Sequence, residues 1–191
     1  PHAMAGESVR MAVEPENFAA ALRALQDDGF VGCNFTVPHK QAALTCVDEV
    51  HPLAARIGAV NTVVVKDNGA LYGMNTDGYG FLENLRHTHS GFNAARGPAV
   101  VLGAGGAARA IIVTLLDAGA TEVRLVNRTL ARAEELAVEL AGMGMGTLTV
   151  APWTSRADAL DGAALLVNTT TLGMKGKPPL DLDLSDLPED A

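Results

Sequence analysis

The stretch Val100-Val101-Leu102-Gly103-Ala104-Gly105-Gly106-Ala107-Ala108 constrains this chain more than any other. The apolar residues 99–102 read as a strand buried on both faces. Glycines follow at once, and residues 107–117 then carry helical spacing. Gly103 permits a tight turn, Gly105 leaves the backbone bare, and Ala108 lets the helix lie close to the sheet. The rhythm continues with a strand at 122–126, a helix at 130–140 and strands at 147–150 and 164–167. Strands that alternate with helices predict a parallel, doubly wound sheet. A glycine-rich link at 142–146 is the one stretch of low complexity.

Upstream the pattern is less regular. Residues 9–13 read as a strand. Pro15 opens a helix with Phe18, Leu22 and Leu25 on one face, and Gly29 closes it. A strand at 31–35 leads to Pro38, which suits a first helical position because its missing N–H costs nothing there. Residues 60–66 and 70–74 flank Asp67-Asn68-Gly69, a hairpin turn, and a helix follows at 77–86. The turn-rich 88–98 stretch then separates two α/β units, 1–87 and 99–191.

Composition excludes several classes. A net charge of −8 with no basic run argues against nucleic acid and anionic membrane surfaces as partners. No apolar run approaches the about 20 residues that span a bilayer. Cys33 and Cys46 lie in apolar stretches and are expected to be buried, reduced thiols of a cytoplasmic protein. His87 and His89 lack a third ligand, so no metal is expected. The opening Pro1-His2-Ala3-Met4 is not a natural start, and the true N-terminus is expected to lie upstream.

Polar chemistry gathers at six places. With a helix opening at Pro38, Lys40 would sit in its first turn, where the helix dipole disfavours a cation and eases loss of the proton. Such a lysine can give and take protons near neutral pH, and the alternative is a solvated surface lysine. Asn61, in Ile57-Gly58-Ala59-Val60-Asn61-Thr62, offers donor and acceptor to a hydroxylated substrate, or else caps a turn. Asp77, in Gly73-Met74-Asn75-Thr76-Asp77-Gly78-Tyr79-Gly80, is either a functional carboxylate or a helix N-cap.

The turn Gly103-Ala104-Gly105-Gly106-Ala107 before a helix reads as a pyrophosphate cradle, against the alternative of a glycine-rich turn without ligand. At the end of the next strand, Asn127-Arg128-Thr129-Leu130-Ala131-Arg132 lacks the acid that holds an NAD ribose. Arg128 and Arg132 instead offer planar donors to a 2′-phosphate, with Thr129 able to cap the helix and bond that phosphate. The expected cofactor is therefore NADP, against the alternative of a solvated arginine pair. Asn168, Thr169, Thr170 and Met174 follow the last strand and should border the nicotinamide.

Taken in order, N-F-T-V-P-H-K, I-G-A-V-N-T, G-M-N-T-D-G-Y-G, G-A-G-G-A-A-R, N-R-T-L-A-R and N-T-T-T-L-G-M resemble the shikimate dehydrogenase family over nearly the whole chain. The resemblance implies an α/β substrate domain joined to a Rossmann domain, and NADPH-dependent reduction of 3-dehydroshikimate to shikimate in aromatic amino-acid biosynthesis. It implies Lys40 and Asp77 as the catalytic pair, with Thr36 and Asn61 joining them in substrate binding. It also implies that the family's N-terminal serines and its C-terminal glutamine segment are missing from this chain. Both domains would then be incomplete, and the means of holding the substrate carboxylate stays open. A small-molecule substrate is the expected partner, with a homodimer left open. Alternatives are a quinate/shikimate dehydrogenase, for which an acid near Asn127 would be expected, and a non-catalytic dinucleotide-binding regulator.

Overall fold

A computed structural model describes residues 6–142 and 146–191; the opening Pro1-His2-Ala3-Met4 and the middle of the 142–146 link lie outside these. The first unit holds β1 (Gly32–Asn34), β2 (Glu49–Val50), β3 (Thr62–Val65) and β4 (Leu71–Met74) in the order β1-β3-β4-β2. β3 and β4 form the expected hairpin, with Val63 opposite Gly73. β1 pairs antiparallel to β3, and β2 pairs parallel to β4. Helix α1 (Phe18–Ala24) covers this sheet. Its Phe18 and Leu22 pack with Leu25, Ala43, Val60, Val63 and Leu71 in one core.

The second unit is the doubly wound sheet, all parallel, in the order β7-β6-β5-β8. Its strands are β5 (Ala99–Leu102), β6 (Glu122–Asn127), β7 (Thr147–Pro152) and β8 (Leu165–Asn168). Helices α4 (Gly106–Asp117) and α5 (Leu130–Glu139) provide the crossovers. Val101, Ile112, Leu115, Leu125 and Leu136 are buried together, each contributing about 1.5–3 kcal/mol by leaving water.

Three expectations are corrected. Residues 9–13 form no strand; they lie largely exposed, and Val13 O accepts a hydrogen bond from His39 Nε2 at 3.0 Å. No α-helix opens at Pro38. Lys40 O is taken instead by Val60 N at 2.8 Å, so the chain proceeds through turns into a 3₁₀ segment, Ala42–Thr45. A remote amide has displaced the helical bond, and the dipole invoked for Lys40 is absent. Third, a short helix α2 (Pro52–Ile57) was not anticipated, although Pro52 at its start and Gly58 in the left-handed region at its end are the usual punctuation. Cys33 and Cys46 are free but only half-buried, and burial pushes the Cys33 thiol up.

Helix α3 (Asp77–Thr88) leaves the first unit and lies along α4 of the second. Gly78 faces Ala110 O and Thr114 Oγ1 of α4, where any side chain would collide. Among the described residues no helix is long and apolar enough to cross a membrane. No group of three or more His, Cys, Asp or Glu able to hold a metal occurs among them either.

Candidate active site

Lys40, Asn61 and Asp77 come from three separate segments and meet at one point. Lys40 is only 8% exposed, which removes the solvated-surface reading. Its Nζ donates to Asp77 Oδ2 at 2.6 Å. Asn61 Nδ2 donates to the other carboxylate oxygen, Asp77 Oδ1, at 2.8 Å. The orientation of the amide is fixed on its far side. Thr76 N donates to Asn61 Oδ1 at 3.0 Å, and a backbone N–H can only donate. Asn61 thus holds the turn through Oδ1 and the carboxylate through Nδ2.

Asp77 is not the helix N-cap. Thr76 occupies that position and Asp77 is the first helical residue, its own N–H donating to Asn75 Oδ1 at 3.1 Å. The carboxylate is therefore free to face Lys40, and an anion at a helix N-terminus is electrostatically favoured. Asn75 is itself buried, and its Nδ2 donates to Ala59 O at 3.0 Å. Asn75 and Thr76 are thus part of the scaffold. They stand inside the G-M-N-T-D-G-Y-G stretch, where their proximity to Asp77 was the available signal. Thr36 lies exposed at the start of the Lys40 turn, its carbonyl accepting from His39 N.

The lysine also touches the second unit. A Cβ at Gly106 would lie 3.1 Å from Lys40 Cβ and 3.3 Å from Cδ, so the lysine stem runs directly over the first turn of α4. A larger residue at position 106 would require the lysine stem to give by a few tenths of an ångström. Gly103 has φ +104°, and a Cβ there would fall 2.8 Å from Thr169 Oγ1.

A pyrophosphate fits this turn. The N-cap residue Gly105 makes no side-chain cap, and a Cβ added to it would meet nothing within 4 Å. The first N–H groups of α4 lack helical partners, and there is room beside Gly105 at this positive helix end. At the end of β6, Arg128, Thr129 and Arg132 are exposed. Neither arginine makes an ion pair among the described residues. Thr129 is the N-cap of α5 with no side-chain cap bond, and Asn127 Nδ2 holds Thr129 O at 2.7 Å. This edge presents donors without acids, as a 2′-phosphate requires.

Beyond β8, Thr169 Oγ1 donates to Leu102 O at 2.7 Å, which pins the loop to the glycine turn. Asn168 Oδ1 accepts from Thr170 N and Thr170 Oγ1, so both side chains shape the loop itself. Met174 is 59% exposed.

Two family models match the chain. Residues 2–63 match the shikimate dehydrogenase substrate binding domain, and residues 86–170 match shikimate / quinate 5-dehydrogenase. A shikimate dehydrogenase (NADP(+)) from Methylobacterium radiotolerans is 47% identical over 192 residues, which cover 100% of this chain and 67% of that protein. The chain belongs to the shikimate dehydrogenase family. A relative of the same name from Paramagnetospirillum magneticum is 54% identical across 96% of this chain. The chain spans 65% of that protein's length. Among solved structures, shikimate 5-dehydrogenase from Thermus thermophilus, in complex with NADP(H) and shikimate, is 40% identical with a TM-score of 0.77. That match covers 94% of this chain and 62% of the other. Family and fold agree with the two units described, a substrate-domain sheet and a Rossmann sheet.

Proposed function

We propose that the protein is an NADP-dependent oxidoreductase that interconverts 3-dehydroshikimate and shikimate. The observation that carries this reading is the buried Lys40–Asp77 pair, 2.6 Å apart, with the lysine stem lying on Gly106 at the pyrophosphate turn. One contact thus joins a proton-transfer pair to a dinucleotide cradle.

NADPH, when bound, supplies the hydride. Gly103, Ala104, Gly105, Gly106 and Ala107 hold its pyrophosphate, and Asn127, Arg128, Thr129 and Arg132 its adenosine phosphate. Asn168, Thr169, Thr170 and Met174 line the nicotinamide side. As the substrate carbonyl gains electron density, Lys40 Nζ donates a proton to its oxygen. Asp77 holds the ammonium in place and accepts from a substrate hydroxyl, and Asn61 fixes the second carboxylate oxygen. In the reverse direction neutral Lys40 takes the alcohol proton. Thr36 adds a hydroxyl to substrate binding. Two free thiols fit a reducing, cytoplasmic compartment. A homodimer is left open and is read by light scattering.

The test is spectrophotometric and uses the full-length protein. NADP⁺ with shikimate should give the 340 nm signal of NADPH, while NAD⁺ or quinate should give far less. Turnover of quinate with NAD⁺ but not of shikimate with NADP⁺ would replace this reading with that of a quinate dehydrogenase.

A further inference from the structure

Arg109 has no role in either the cofactor or the substrate reading, yet it is the one buried charged residue on α4. It lies in the first helical turn, where the dipole disfavours a cation, and is only 7% exposed. A buried charge is costly unless well paired. Its Nη2 meets Glu139 Oε2 at the end of α5, 2.5 Å away, while its Nε is buried with no hydrogen-bond partner. The guanidinium lies beside Gly58, where a Cβ would come within 2.6 Å of Nη1.

Gly58 is the root of four consecutive residues that reach both members of the proton-transfer pair. Ala59 O accepts from Asn75 Nδ2, and Asn75 Oδ1 accepts from Asp77 N. Val60 N donates to Lys40 O at 2.8 Å. Asn61 Nδ2 donates to Asp77 Oδ1. A shift of Gly58 would therefore bear on Lys40 and Asp77 together, and its neighbour Arg109 stands on the helix that opens at the glycine turn.

We infer that Arg109 is a positioning residue. It seats the Gly58–Asn61 segment against α4, so that filling the dinucleotide turn aligns the Lys40–Asp77 pair for substrate. This rests on the function proposed above. Coupling of this kind is reciprocal: NADP⁺ should tighten shikimate binding by the factor by which shikimate tightens NADP⁺.

The experiment uses calorimetry and steady-state kinetics on full-length wild type, Arg109→Met and Glu139→Gln. In wild type, NADP⁺ should lower the Kd of shikimate. In Arg109→Met, that coupling factor should fall toward one and kcat should drop by about 3- to 30-fold. The Kd of NADP⁺ alone should stay within about twofold. Glu139→Gln releases the guanidinium from its anchor at an exposed position, and should shift both readouts the same way by less. A folded Arg109→Met variant with wild-type coupling and kcat would overturn the inference. So would a loss of NADP⁺ affinity matching the loss of kcat, which would make Arg109 part of the cofactor site. If Arg109→Met fails to fold, wild-type values in Glu139→Gln would reduce the arginine to a structural role. A wild type that binds neither NADP⁺ nor shikimate overturns the functional reading itself, before any variant is measured.

Discussion

The second unit repeats one device, a strand feeding a helix, whereas the first mixes short antiparallel and parallel pairs. Parallel strands of four to six residues build the Rossmann sheet. The first sheet includes strands of three and two residues. Helix α4 buries nine of its twelve residues, while α2 has six residues and buries two. Where ladders are short, side chains take over the backbone's hydrogen bonds: Asn61 serves Thr76 N, and Asn75 serves Ala59 O and Asp77 N. The irregular unit therefore concentrates polar groups at its segment ends, and the regular unit supplies a rigid face to set them against. The function proposed above puts chemistry in the first and cofactor choice in the second.

The sharpest way to break this division is Lys40→Ala. It should cut kcat by about 10²–10⁴-fold with the fold intact by circular dichroism. Near-normal turnover would remove proton transfer from the first unit. Asp77→Asn comes next. Turnover should fall by about 10²-fold, because the amide cannot hold the ammonium as the carboxylate does. The helix-end charge it removes is worth only about 0.3–1 kcal/mol, but the change also leaves the buried Lys40 ammonium without its counter-ion, so the melting temperature should fall as well. A stable variant with wild-type kcat and KM would leave Asp77 as no more than a helix-terminal residue.

Arg128→Ala probes the other half. Losing a charge-assisted bond of about 1.5–3 kcal/mol should weaken NADP⁺ binding roughly ten- to a hundredfold. NAD⁺ binding should be nearly unchanged. Equal loss for both cofactors would mean that the arginine serves the fold. The smallest effect lies back in the first unit. Asp48 accepts from Leu71 N and from Arg23, and these bonds hold its carboxyl below the usual carboxylate range. A depressed pKa stabilises above the unfolded value, about 3.9, and that gain is lost as pH falls through the folded one. Wild type should therefore melt above Asp48→Asn at about pH 7, and the gap should shrink by about pH 3. A gap independent of pH would show that ionisation of Asp48 does not matter.

The same contrast explains what was legible in the sequence. Strand 99–102, helix 107–117 and strand 122–126 lie within a residue of where they were expected, because long periodic elements buried on a sheet announce themselves. In the first unit, α2 is too short to show a period. The helix expected at Pro38 was lost to Val60 N, a bond between residues 20 apart in sequence that no local pattern encodes. The site was legible by motif rather than by geometry. Lys40 and Asp77 are 37 residues apart, and resemblance alone paired them in the sequence. Arg109 stood in a quoted motif, but its value lies in Gly58 and Glu139, which reach it only in the fold.

The bond from Val60 N to Lys40 O has a consequence for observing the protein. Val60 is fully buried, and its amide proton is held by the very turn that carries the lysine. Exchange of that proton with deuterated solvent requires the turn to open locally, and its rate measures the free energy of opening. One amide in the middle of the first unit thus acts as a clock for the assembly of the candidate active site.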